Sequence, residues 1–128
     1  LYKSSETGRC SSKIKVEEAE LIANKLKAFD ELYLPQKFFS SLTKEIFEKN
    51  TQLSLYQFYQ NICQVTISHA NDKLKAVLLN PDQAFFAKVS HPYPAIITQR
   101  ISFNIDGQAC ELRYITTVTD TCHVAIDI

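Results

Sequence analysis

PAIITQRISFNIDGQACELRYITTVTD, residues 94–120, is the stretch that decides the fold. Two runs of alternating apolar and polar residues, 95–103 and 108–118, flank the dipeptide Asp106-Gly107. Asp-Gly supplies the positive φ angles of a tight hairpin turn, so the stretch reads as two antiparallel strands. A third β-type run, 122–128, follows it.

Working upstream, residues 13–22 (KIKVEEAELI) and 26–34 (LKAFDELYL) also alternate, which predicts a first hairpin turning near Asn24. Pro35 stands where a helix can begin, and Phe38, Phe39, Leu42, Ile46 and Phe47 recur at three- and four-residue intervals up to Asn50. That spacing predicts an amphipathic helix, broken once. Thr51 or Ser54 can cap the next helix, whose buried stripe is Leu55, Phe58, Tyr59 and Ile62. Residues 65–79 read mainly as strand, with a helical turn about 70–75 as the alternative. Pro81 opens a short helix through Val89, and the run His91-Pro92-Tyr93-Pro94 ends it. Hairpins without regular βαβ alternation give an α+β class, an antiparallel sheet with helices packed on it.

Composition narrows the function. The chain has 128 residues, 45% hydrophobic and 22% charged, which suits one domain over 1–128 with a real core. Fourteen basic residues balance fourteen acidic ones. Without a basic cluster the chain is not expected to bind nucleic acid by itself. Neither a membrane span nor a signal peptide is recognisable, so a cytoplasmic location is expected. The chain lacks Met, which reads as part of a longer protein.

Cys10, Cys63, Cys110 and Cys122 form no C-x-x-C pair, so reduced thiols are expected ahead of a disulfide or a zinc site. With Gly8 and Gly107 the only glycines, no glycine-rich loop can cradle a phosphate. Neither G-x-S-x-G nor H-E-x-x-H occurs, and His69, His91 and His123 stand apart. No catalytic residue, metal or cofactor is therefore expected.

Asp30-Glu31-Leu32-Tyr33-Leu34-Pro35, Ser54-Leu55-Tyr56 and the run from Pro94 through Arg100, Ser102 and Asp106-Gly107 to Glu111 stand in an order and spacing of their own. Together they resemble the UTRA effector-binding domain of GntR-type (HutC subfamily) bacterial transcription regulators, from about Lys13 to Ile128. The resemblance implies a chorismate lyase-like fold, a small polar metabolite as effector, a homodimer, and contact with DNA only through a winged helix-turn-helix on the N-terminal side. It also implies that Asp30, Ser54, Tyr56 and Glu111 line the effector pocket. Taken alone, these residues also fit a helix cap, a core-edge aromatic and a strand surface residue.

The chain departs from the family pattern in two respects. Where relatives with anionic effectors carry an Arg-x-Arg pair, this chain has Glu18 and Glu20, and Thr117 replaces an aromatic residue. Depending on the turn, Glu20 pairs with Phe29 or with Asp30. Arg100 matches a family position and reads as a salt-bridge partner for Glu111 or another carboxylate, or else as a ligand contact. If Glu18, Glu20, Asp30 and Glu111 converge with only Arg100 among them, the cavity is negative and favours a neutral or cationic effector. The other readings are a structural interaction domain with a degenerate pocket and a lyase of the chorismate lyase type. The acidic pair speaks against the lyase, whose dicarboxylate substrate needs cations.

Overall fold

The computed structural model describes residues 3–7, 13–22, 25–119 and 123–127, with side chains from Ala28 onward. The elements run β1 (Lys3–Thr7), β2 (Lys13–Ile22), β3 (Lys25–Pro35), α1 (Gln36–Phe39), α2 (Lys44–Lys49), α3 (Leu55–Cys63), β4 (Ile67–Leu78), α4 (Pro81–Ala87), β5 (Pro94–Asn104) and β6 (Ala109–Val118). The strands form one antiparallel sheet in the order β1-β2-β3-β6-β5-β4. Its centre joins β3 to β6, elements from opposite ends of the sequence. The α+β class with helices on an antiparallel sheet is as the sequence predicts.

The helices begin and end where local chemistry dictates. Pro35 leads into α1, the break falls over residues 40–43, and Thr43 caps α2 by accepting a hydrogen bond from the Ile46 N–H. Ser54 and Gln57 form a reciprocal capping box on α3, as Asn80 and Gln83 do on α4, with Pro81 in the first turn. Gln64 and Lys88 close α3 and α4 in the left-handed conformation.

Two hydrophobic clusters fix the helices to the sheet. Leu32, Leu34 and Cys110 pack with Phe39, Leu42, Phe58, Tyr59 and Cys63, so α1–α3 share one core with β3 and β6. Phe29, Ala95 and Val118 pack with Leu79, Ala84 and Ala87, which seats α4 on the opposite face. Burying the leucine, phenylalanine and valine side chains among them contributes about 1.5–3 kcal/mol each. Among the described residues no helix is long and apolar enough to cross a membrane.

Four details differ from the sequence reading. The β5–β6 hairpin is not a two-residue turn: Asn104 N–H bonds to the Gln108 carbonyl at 3.0 Å, and Gly107 alone in the loop has positive φ, at +79°. Asn104 forces this longer loop, because its side-chain oxygen accepts from the Asp106 and Gln108 N–H groups. Residues 123–127 belong to no strand, and Val124 and Ile126 are exposed. Alternation names a face for a strand but does not provide a neighbour to pair with. A polar strand with no alternating signal, β1, was in turn not foreseen.

In the first hairpin the register pairs Ile22 with Lys25 and shifts between Glu20 and Leu21, so Glu20 stands opposite Ala28 and Glu18 opposite Asp30. The expected pairing of Glu20 with Phe29 or Asp30 is therefore wrong, because Ile22 pairs with Lys25, one residue earlier than a loop at Asn24-Lys25 requires, and the shift at Glu20/Leu21 recovers only part of that offset. Residues 23 and 24 lie outside the described residues.

Candidate functional site

Across the sheet the register builds four successive rungs on the face that receives α3. Glu111 stands opposite Ser102, and Ser102 opposite Ala70. Next come Leu32, Arg113, Arg100 and Asp72; then Asp30, Ile115, Thr98 and Leu74; then Ala28, Thr117, Ile96 and Ala76. A register shift beside Ser102 lets Cys110 and Glu111, adjacent in sequence, both turn into the core.

Glu111 anchors the first rung. It is 2% exposed and accepts hydrogen bonds from the Ser102 hydroxyl at 2.7 Å and from the Tyr59 hydroxyl. Tyr56 reaches the same Ser102 hydroxyl at 2.9 Å. One turn of α3 thus places two phenols over a buried carboxylate, one directly and one through a serine. Burial, and then the Glu111 charge, push the Tyr59 pKa well above its ordinary value.

The second rung holds two arginines directly opposite each other. Like charges in this position repel unless each has a counterion. Arg100 donates to both oxygens of Asp72 at 2.7 and 2.8 Å, and Arg113 donates to Asp30 through Nε at 2.9 Å and through Nη2. The hydrogen bonds from Arg100 hold Asp72 below the usual carboxylate range. Burial disfavours the Arg113 charge, but Asp30 and Glu111 together outweigh it and raise the pKa of the guanidinium.

These contacts place the expected site residues. Asp30, Tyr56, Arg100, Glu111 and Thr117 lie on the same sheet face or on the helix above it, and the register sets Glu18 and Glu20 on the Asp30 and Ala28 rungs. Arg100 does not pair with Glu111. Its carboxylate is Asp72 on β4, because Asp72 is its direct cross-strand neighbour. Arg100 is also not the only cation among the acidic groups, since Arg113 pairs with Asp30. Ser54 is exposed, and its hydroxyl serves the α3 cap.

The sequence reading did not single out Tyr59, Ser102 and Arg113, which the structure brings into contact with the expected residues. Ser102 and Arg113 were legible by period-2 counting from Glu111 and Arg100, whereas Tyr59 counted only as core.

The fold and the family agree. A model of the UTRA domain matches residues 12–123. The chain belongs to the UTRA domain family. Among solved structures the UTRA chain is similar to the ligand-binding domain of a putative GntR-family transcriptional regulator from Bordetella bronchiseptica, at 24% identity and TM-score 0.85, covering 92% of this chain and 74% of that one. A GntR-family transcriptional regulator from Enterococcus faecalis V583 is similar at 14% identity and TM-score 0.82, over 100% of this chain and 96% of that one. The effector binding domain of the Bacillus subtilis trehalose repressor is similar at 16% identity and TM-score 0.75, over 100% and 93%. No curated protein matches the sequence.

Proposed function

We propose that this UTRA domain is the effector-binding and dimerisation part of a GntR-type bacterial regulator of the HutC subfamily, works in the cytoplasm, and catalyses no reaction. A small polar metabolite bound at the sheet face changes how two attached winged helix-turn-helix modules are held on DNA. The observation that carries this reading is the polar network of Tyr56, Tyr59, Ser102 and Glu111. Buried polar groups of this number are costly unless satisfied, and here they sit beside the charged rung of Arg100 and Arg113. The site is proposed to comprise Asp30, Tyr56, Arg100, Glu111 and Thr117, with Glu18 and Glu20 at its β2 edge and Ser54 acting through the helix end that it caps.

A neutral or cationic effector suits this arrangement better than an anion. Arg113 is committed to Asp30 and Arg100 to Asp72, so an incoming phosphate would compete with a carboxylate at each. A thermal-shift screen of neutral, cationic and phosphorylated metabolites tests the reading, since a ligand of the folded state raises the melting temperature. Stabilisation by neutral or amine-bearing compounds that weakens in Glu20→Ala supports it. A domain that responds to no metabolite is the degenerate interaction module instead.

A further inference from the structure

Thr98 and Thr117 occupy the third and fourth rungs as diagonal neighbours, with Cβ atoms roughly 7 Å apart for such a pair. As residues they are 6% and 8% exposed. Neither hydroxyl has a hydrogen-bond partner among the described residues, yet no fully buried polar side-chain atom is left without one. Both oxygens therefore keep a path to the surface, unlike Ser102 and Glu111 on the first rung, whose side-chain oxygens bond to each other and to the tyrosines. Apolar side chains alternate with them: Ile115 and Ile96 are half-buried, and Leu74, next to Thr98, is 42% exposed. Asp30 on the Thr98 rung has its charge balanced by Arg113.

We propose that Thr98 and Thr117 form a hydroxyl-reading subsite for a polyhydroxylated, uncharged or amine-bearing ligand, with Thr98 a specificity-determining residue. This rests on the effector-binding reading above. A hydroxyl both donates and accepts, so two of them match the vicinal hydroxyls of a polyol, whose C–H faces pack on Ile96, Ile115 and Leu74. A phosphate finds no uncommitted cation on these two rungs among the described residues.

The test is threonine-methyl NMR of the full chain titrated with sorbitol, glucosamine and glucose 6-phosphate. The expected result is a shift of the Thr98 and Thr117 methyl signals with sorbitol or glucosamine, and a dissociation constant about tenfold weaker in the isosteric Thr98→Val variant, the loss of one hydrogen bond. Thr98→Ser, which keeps the hydroxyl, restores binding. Signals that move elsewhere while both methyls stay fixed overturn the subsite and leave the effector reading standing. A response to glucose 6-phosphate alone overturns the ligand class. Silence toward sorbitol and glucosamine overturns the subsite as well, while the wider metabolite screen judges the effector reading by itself.

Discussion

Glu111 is a carboxylate whose visible partners are hydroxyls, which makes Tyr59 the side chain that most cheaply reports on the site. Tyr59→Phe keeps the ring packed against Phe39 and removes one donor to a buried acceptor. The expected loss is about 1–3 kcal/mol, read from urea unfolding. The two arginines separate by burial. Arg113 and Asp30 side chains are 18% and 10% exposed, against 28% and 33% for Arg100 and Asp72. Arg113→Met should therefore cost about 3 kcal/mol and Arg100→Met no more than about 1, since water screens the outer pair. A reversed ranking by the same measurement would mean that burial does not govern these pairs.

The buried thiols give a pH dependence with a definite sign. Burial raises Cys63 and Cys110 to about 11 from an ordinary 9.0. A group whose folded pKa is raised stabilises the fold below its unfolded pKa and loses that contribution as pH rises toward the folded value. Stability should accordingly fall between pH 9 and pH 11, with Tyr59 adding to the fall above about pH 10. Cys110→Ala should flatten the decline in the denaturation midpoint over that window. An unchanged slope would show that the thiol does not titrate on unfolding.

At the scale of elements, caps and turns carry measurable shares. Ser54→Ala removes the acceptor of the α3 capping box and should cost about 1 kcal/mol. Gly107 has nothing within 4 Å of where a Cβ would stand, so Gly107→Ala tests its positive φ alone, at about 1 kcal/mol. Much at this scale was legible in the sequence. The hydrophobic spacing indicated a helix broken once, without the position of the break, and placed α3, and Pro81 marked the start of α4. The alternation placed β2, β3, β5 and β6. What was not legible is pairing across distance. Nothing local in Asp72 announces Arg100 as its neighbour, and the shift that sets Glu18 against Asp30 depends on an irregularity that alternation does not reveal. The candidate site was half visible for the same reason: the family resemblance implied Asp30, Tyr56 and Glu111, while the residues they contact, Arg113, Ser102 and Tyr59, follow from register and helix packing.

At the scale of the molecule, the proposed function requires two copies. Equilibrium sedimentation at micromolar concentration should return a dimer, because paired DNA half-sites call for two-fold related modules. A strict monomer would count against dimerisation in this domain.

The junction of β3 with β6 has a kinetic side. Asp30 and Arg113 are 83 residues apart in sequence and meet across that seam. Local hairpins close quickly, whereas a contact of this span waits on a large loss of chain entropy. This seam is expected to assemble late, and a ligand at the proposed Asp30 and Thr98 positions would clasp that slow join. Amide exchange follows: in the bound state the β3 and β6 amides should gain protection together, while the outer edge of β4 exchanges as before.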